Sequence, residues 1–572
     1  MSALDALDPQ QRAAAEIVRG PVAVLAGAGA GKTRVITHRI AYGVEEGAYT
    51  PNRVMALTFT TKAAGELRGR LRAMGIVGVQ AKTFHAAALA QLNFFWPTVA
   101  GDTAPTIVDN KVRLLAHAAD SLRIRPDTNT LRDVASQIEW RKVTMRSIDE
   151  FGALGRSVGA LDTTALTELM TAYEKLKDER RQLDFEDVLL ACAGMIESEP
   201  RVAVEIREQY RHFTVDEFQD VSPLQNRLLE LWLGTRRDLC VVGDASQTIY
   251  SFTGADSRFL LEFGTRYPDA TVVQLERNYR SAPPILDAAN ALMRDRPGAL
   301  RLRAAREIEG APAPTVTAYR DDDAEAEGIA TRVRALVDGS GAPAAAASDI
   351  AILYRSHAQS ARLQQALGRQ GIPATVLGGT RFFDMPEVRQ AILAIRAAAV
   401  APSSLSFAEA VRDVLRGLGH TDEAPEAGGA LRTAWEARQA LLQLAEDAGP
   451  GATMRGFADE LLARAKDQHE PSLQTVTLAT LHAAKGLEWP HVFLAGASEG
   501  LLPISYATSL EAIDEERRLA YVGITRAERS LSISWSHGGG RSPRRPSRFL
   551  AEIGTGTLRE ADANATAAGR RP

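Results

Sequence analysis

"LAGAGAGKTR", residues 25–34, decides how the rest of the chain is read. It follows a short apolar run, "PVAVL" at 21–25, of the kind that forms a buried parallel strand. Gly27, Gly29 and Gly31 alternate with Ala26, Ala28 and Ala30, so backbone N–H groups can curl around an anion. The helix expected next aims its N-terminus at the same anion. Lys32 stands where an ammonium reaches the outer phosphates of a nucleotide, and Thr33 where a hydroxyl meets Mg²⁺. The pattern G-x-x-x-x-G-K-[ST] has Ala26 at its first position, which costs little because close backbone approach falls on the later glycines. The bland alternative, an alanine–glycine turn with a chance lysine, does not explain the strand–loop–helix context.

A nucleotide site of this type needs an acid at the end of another strand. "HFTVDEFQD", 212–220, places Asp216 and Glu217 there. Asp216 can hold Mg²⁺ through water, and Glu217 can deprotonate an attacking water, which is what hydrolysis requires beyond binding. "DLCVVGDASQTIYSFTGA", 238–255, offers Gln247 as a neutral sensor of the terminal phosphate. Tyr279 and Arg280 follow a further strand, and Arg526 lies near the C-terminus. Two arginines suit the charge that develops during phosphoryl transfer.

Composition narrows the class. The chain has 572 residues, 45% hydrophobic and 24% charged, with net charge −4. That length implies several domains, and no overall basic field advertises nucleic acid, so a DNA site must be a local groove. Two cysteines cannot by themselves supply a structural zinc or iron–sulfur site. No targeting run and no membrane span is read, so a cytoplasmic protein is expected. Only nine of the 67 basic residues are lysine. Lys32, Lys62 and Lys485 are among them, each inside a motif.

Those motifs, in order, resemble the UvrD/Rep/PcrA helicases of superfamily 1. They are "LDPQQRAA" (7–14), "AGAGAGKT" (26–33), "ALTFTTKAA" (56–64), "TFH" (83–85), "VDEFQD" (215–220), "VGDASQTIYSFTGA" (242–255) and "LERNYRS" (275–281). "ILYRSHAQS" (352–360), "GGTRFF" (378–383), "TLATLHAAKGLEW" (477–489) and "YVGITRA" (521–527) complete the set.

The resemblance implies an α/β protein of two RecA-like P-loop lobes, each a parallel sheet flanked by helices and each carrying a helical insertion. The expected boundaries are 1–90 with 206–281 for the first lobe and 91–205 for its insert. They are 282–387 with 472–553 for the second lobe, 388–471 for its shortened insert, and 554–572 for a disordered tail. It implies a DNA-dependent ATPase moving 3′ to 5′ on single-stranded DNA, with ATP and Mg²⁺ as cofactors. ATP would be hydrolysed between the lobes. Single strands, 3′-tailed duplex and a loading or repair protein would be its partners, in a bacterial cytosol beside the nucleoid. Gln11 would read adenine, Tyr279 would stack on it and Glu488 would meet the sugar. Lys32, Thr33 and Asp216 would hold phosphate and metal. Glu217 would be the base, Gln247 the sensor, and Arg280 and Arg526 the arginine fingers. DNA would lie on Thr58, Phe59, Thr60, Lys62, His85, Tyr250, Phe252, Arg355, His482, Lys485 and Phe549. Stacking suits a strand that must be followed without reading its sequence.

The chain departs from the family at Thr61, where asparagine is usual, at Phe252, where tryptophan is usual, and at Thr253, where arginine is usual. Between Trp535 and Phe549, where the family carries a strand-splitting hairpin, the sequence holds Gly538, Gly539 and Gly540 and no Phe, Tyr or Trp. Arg541, Arg544 and Arg545 are expected to hold phosphates there. This favours an alternative: a translocase that displaces proteins, with weak intrinsic unwinding. A scaffold that kept the fold and lost the motor is disfavoured by the intact Lys32, Glu217, Gln247, Arg280 and Arg526. "FFW" at 94–96 is expected in the core of the first insert, and "DDD" at 321–323 in a solvated turn.

Overall fold

The computed structural model describes residues 2–306, 308, 310–340, 344–377, 382–399, 405–423, 425, 430–446, 448, 451–466, 475–538 and 543–562. The chain divides into two compact units. The first is Met1–Tyr279 with Asp295–Ala305, and the second is Arg280–Arg294 with Arg306–Pro572.

The first unit is built on a six-stranded, all-parallel sheet. Its strands are β1 (Val22–Ala26), β2 (Val54–Thr58), β3 (Gln80–Thr83), β4 (His212–Val215), β5 (Leu239–Gly243) and β6 (Thr271–Leu275), in the order β3-β2-β4-β5-β1-β6. Central strands of such sheets read as unbroken apolar runs because both faces are covered. In β1, Val22, Val24 and Ala26 face a core with Val35, Ile36 and Ile40 of the helix Lys32–Glu45. Ala23 faces the opposite core, with Phe213 and Trp232. Trp232 is fully buried, stacks near Phe84 and Phe213, and donates from Nε1 to Gln91 Oε1 at 2.7 Å.

The helices between β3 and β4 are of two kinds. Phe84–Ala100, Phe185–Ser198 and Pro200–Gln209 pack into the sheet's own core. Lys111–Ser121, Thr128–Val143 and Thr163–Glu179 close a separate core around Leu115, Ile138, Phe151 and Tyr173. The self-contained insert is therefore narrower than 91–205. The physical reason is the apolar flank of Phe185–Ser198, whose Val188, Leu189, Cys192 and Ile196 belong to the sheet. "FFW" is corrected with it: Phe95 joins the sheet core, and Phe94 is 71% exposed.

The insert is pinned to that flank by a buried ionic cluster. Lys142 Nζ lies 2.7 Å from Asp184, 2.6 Å from Asp187 and 3.0 Å from Glu174. Lys177 pairs with the same three carboxylates. Asp184 also caps the helix Phe185–Ser198.

The second unit holds a seven-stranded parallel sheet. Its strands are β7 (Thr315–Tyr319), β8 (Ile350–Tyr354), β9 (Ala374–Leu377), β10 (Val476–Thr480), β11 (Trp489–Leu494), β12 (Ala527–Ser536) and β13 (Arg559–Glu560). The order is β9-β10-β8-β11-β12-β7-β13. Four helices, Pro386–Ala398, Phe407–Gly417, Ala430–Glu446 and Met454–Lys466, form an insert around Val388, Ile395, Val411, Leu441 and Leu461.

Two expectations change here. "DDD" is not a solvated turn: Asp321 caps the helix Asp322–Val337, and Asp322 takes Ser536 Oγ at 2.5 Å and the Arg544 guanidinium. The tail is not disordered from 554, because β13 pairs with Thr315 and Val316 of β7. Its last ten residues, 563–572, lie outside the described residues, as do Gly378–Arg381 of the "GGTRFF" motif and Gly539, Gly540 and Arg541. No described helix is long and apolar enough to cross a membrane.

Burial works against the Asp184 charge, but Lys142, Lys177 and Lys111 outweigh it and hold its carboxyl well below the usual carboxylate range. A carboxyl depressed in the fold gives stability that is present above its unfolded pKa, about 3.9, and lost as pH falls below that. Asp184→Asn should therefore cost about 3 kcal/mol near neutral pH, the lower end for breaking a buried pair. The difference from the parent should shrink below about pH 4. Amide hydrogen exchange across 111–179 at the two pH values checks both.

Candidate nucleotide and DNA site

The strands β4, β5 and β1 are neighbours, and their carboxyl ends present the loops singled out in the sequence. Outside carboxyl ends is where parallel sheets bind ligands. Ala26 is the last residue of β1 and is fully buried. The close approach comes one residue later, where a Cβ on Gly27 would fall 2.3 Å from Leu302 Cδ2. Gly31, with φ +81°, opens the helix Lys32–Glu45, and a Cβ there would sit 2.8 Å from Gln11 Nε2. Three groups brace the loop backbone. Gln11 Nε2 donates to Ala30 O at 3.0 Å, Asn278 Nδ2 to Ala28 O at 2.6 Å, and Tyr279 N to Gly29 O at 2.9 Å. Gln11 is buried and Tyr279 is about one-third exposed, its hydroxyl on the Asp8 carboxylate. Thr33 is half-buried in the first helical turn.

Lys32 and the strand-end acid meet: Lys32 Nζ lies 2.8 Å from Glu217 Oε1. Burial disfavours the ammonium, but Glu217, Asp216 and Asp244 outweigh it and raise its pKa above the ordinary value. Burial pushes the Asp244 carboxyl up, against the pull of Lys32. Asp216 is tied to β2 by its N–H on Leu57 O at 2.9 Å. Glu217 has φ +52°, a left-handed conformation that a non-glycine residue adopts at a cost of about 1–3 kcal/mol and keeps only when its surroundings enforce it. Gln247 Nε2 donates to Asp244 Oδ2 at 2.7 Å. Gln219 and Asn278, which the sequence reading did not single out, are fully buried and hydrogen-bonded into this centre. Their signal was available, since a polar residue directly after a strand-end motif must find a partner.

The polymer side is mixed. Phe252 is 62% exposed, with its ring 6.2 Å from that of the half-buried Tyr250. Thr60 and Lys62 are exposed at the start of the helix Thr61–Ala73, and Phe59 packs partly on the core. His85 stacks on Phe185 at 4.0 Å and 14°, and burial pushes its pKa down to about 4. Phe185, 54% exposed, is an aromatic that the sequence reading missed. Three expected contacts are corrected. Thr58 is buried, and its hydroxyl donates to Thr60 O at 3.1 Å, bracing the loop. Arg355 is bidentate to Glu516, at 3.0 and 2.8 Å, with both side chains largely buried. Phe549 is 2% exposed under Arg517, because the helix Arg548–Ile553 turns that face inward.

Within the second unit, Arg280 Nε donates to Glu488 at 2.5 Å and Nη1 to Thr525 O at 3.2 Å. Arg526 is buried, and its guanidinium donates to Val522 O, Leu487 O and Thr525 Oγ1. Burial, then Arg355 and Lys485, push the His482 pKa down to about 3, so it stays neutral. Lys485 is half-buried. Arg544, expected to hold phosphates, is instead bonded to Asp322 and Ser536 within the protein.

A phosphate loop whose lysine pairs with a strand-end glutamate defines a P-loop nucleoside triphosphatase centre. Residues 7–268 match the UvrD/REP helicase N-terminal domain, and residues 273–423 and 435–538 the UvrD-like helicase C-terminal domain. The chain is 46% identical over 574 residues to ATP-dependent DNA helicase UvrD2 of Mycobacterium tuberculosis (strain ATCC 25618 / H37Rv), covering 96% of this chain and 81% of that protein. It is 29% identical to ATP-dependent DNA helicase PcrA of Bacillus subtilis (strain 168), covering 96% and 86%. It is also 29% identical to DNA helicase II of Escherichia coli (strain K12), covering 98% and 89%. The chain belongs to the UvrD/Rep helicase family, and its two parallel-sheet units are RecA-like lobes.

The brace from Asn278 is testable. Asn278→Ala leaves the buried Ala28 carbonyl unpartnered, which costs about 1–3 kcal/mol. The melting temperature should fall, and titration with a fluorescent ATP analogue should show about tenfold weaker binding because the phosphate-loop backbone has lost its brace.

Proposed function

We propose that this helicase moves 3′ to 5′ along single-stranded DNA in genome maintenance, driven by ATP hydrolysed at the Lys32–Glu217 centre. As a UvrD/Rep-type helicase it is a DNA-dependent ATPase. The observation that carries the reading is the Lys32–Glu217 pair at 2.8 Å, on the same strand edge whose loops lead to Tyr250 and Phe252. Chemistry and grip share one set of strand ends.

The arriving triphosphate competes with Glu217 for Lys32. Lys32 turns to the phosphates, and the freed carboxylate accepts a proton from water as its oxygen attacks the terminal phosphorus. The bond to the bridging oxygen breaks, leaving ADP and phosphate. Gln247 would sense the terminal phosphate, while Arg280 and Arg526 would supply charge to the transferring group. Gln11 and Tyr279 would take the base, and Glu488 the sugar. The donor set fits Mg²⁺: the Thr33 hydroxyl and the Asp216 carboxylate are hard oxygens of the kind that cation shares with phosphate. When bound, the cation would neutralise charge on the phosphates.

On the DNA side, Phe59, Thr60, Lys62, His85, Tyr250, Phe252 and Phe185 are the candidates from the first unit, and His482 and Lys485 from the second. The second reading, protein displacement with weak unwinding, is favoured by the sequence between Trp535 and Phe549. Opening a DNA step costs about 1.4 kcal/mol of stacking, and one aromatic stack would offset it with about 1–3 kcal/mol.

Displacement of streptavidin from biotinylated oligonucleotides should be fast at the 5′ end and slow at the 3′ end. The reverse outcome would refute the polarity. Glu217→Gln should keep ATP and DNA binding and lose at least about a hundredfold in turnover, read by steady-state phosphate release. Tyr250→Ala and Phe252→Ala should each weaken binding of a single strand by about 1–3 kcal/mol, similarly for different base sequences, as anisotropy would show.

A further inference from the structure

Gln219 lies between the acid strand end and the sensor loop. It is fully buried in the short turn Phe218–Asp220. Its Nε2 donates to Glu217 Oε2 at 2.5 Å and to Asp220 Oδ2 at 3.3 Å. Its Oε1 accepts from Asp244 N at 2.9 Å. The amide can point only this way. Flipped, it would set its carbonyl against a carboxylate and its NH₂ against an N–H. The sequence also leaves room for it, since a Cβ on residue 243 would fall 2.5 Å from Oε1, and residue 243 is glycine.

Asp244 is the first residue after β5 and organises the loop that it opens. Its carboxylate accepts from Ser246 N at 3.0 Å and from Gln247 Nε2 at 2.7 Å. Three residues past Gln247 comes Tyr250, and then Phe252. That loop is seated by Gly254, where a Cβ would meet Val143 Cγ2 at 2.6 Å. One planar amide therefore has its donor on Glu217 and its acceptor on the root of the loop that ends in the exposed aromatic.

We propose that Gln219 is a positioning residue that holds the Glu217 carboxylate in register with the Asp244–Phe252 loop, so that a base stacked on that loop is reported to the hydrolytic centre. The inference rests on the reading of Glu217 as base and Phe252 as a DNA contact. The left-handed backbone at Glu217 is what makes such a restraint necessary. A packing role for Gln219 would need neither a donor nor an acceptor.

The test uses the full chain. Gln219→Glu keeps an acceptor for Asp244 N–H and loses the donor to Glu217. Gln219→Leu loses both. The readouts are kcat with and without oligothymidylate, KM for ATP, the Kd for oligothymidylate and the melting temperature. DNA-stimulated kcat should fall at least about tenfold in both variants, less than the loss for removing a base outright. KM and Kd should stay within about twofold, and the DNA-free rate should fall less, so that stimulation collapses. Adding Phe252→Ala to Gln219→Leu should remove little further stimulation. Stimulated kcat within about twofold of the parent in both variants overturns the proposal. So does an equal loss of both rates together with a lower melting temperature. Glu217→Gln and Phe252→Ala alone are the controls. Normal turnover in the first, or normal binding and stimulation in the second, overturns the underlying reading and the proposal with it. Normal behaviour of Gln219→Glu and Gln219→Leu beside impaired controls overturns the proposal alone.

Discussion

A buried ammonium must have anions beside it, because leaving water costs several kcal/mol that only near charges offset. Lys32 is such a group, and its neighbours Glu217, Asp216 and Asp244 come from the ends of two other strands. The pairing constrains everything around it. The two strands must be neighbours and parallel to the one that launches the phosphate loop, so that all three loops open on one edge. The loop itself must be glycine-rich, so that the lysine can lie back over the sheet. The same carboxylates are the groups to which the proposed hydrolysis assigns the metal, the attacking water and the partner of Gln247.

The parallel sheet delivers this because its strands are covered on both faces. β1 alternates its side chains between two cores, and neither face is available for solvent or ligand. Only the strand ends remain free for chemistry. Each carboxyl end can therefore change its loop without disturbing the packing, which is why one edge carries both the Lys32–Glu217 pair and the exposed Phe252.

This division separates the legible from the hidden in the sequence. The strand–loop–helix at Lys32 and the strand ends that precede Asp216 and Asp244 were legible, because each is a short motif of fixed residue types beside an apolar run. The alternation of lobe and insert was legible from the order of motifs. What escaped depends on partners far along the chain. Arg355 reads as a DNA contact until Glu516, 161 residues on, is found gripping it at two points. Phe549 reads as a stacking ring until its helix turns it under Arg517. Phe185 was missed because its neighbours in sequence are helix-forming, and its exposure is settled by Asp184, which caps that helix and is held by lysines from two others. The first insert was drawn too wide for a related reason. An apolar helix does not say in its own sequence which of two cores it will join.

The Lys142–Lys177–Asp184–Asp187–Glu174 cluster carries this point further. Replacing a buried ionic cluster by apolar side chains of similar volume is often neutral or stabilising, so stability alone does not account for it. Direction does. Apolar faces slide against each other at little cost, whereas two ammonium groups shared among three carboxylates have one good arrangement. Lys142 ends the helix Thr128–Val143, whose Val143 seats Gly254 of the aromatic loop, and Asp184 starts the helix whose first residue, Phe185, stacks on His85. The cluster thus fixes the register between two places where rings reach solvent. On the proposed reading of those rings as base contacts, that spacing has to be held more tightly than hydrophobic contact would hold it.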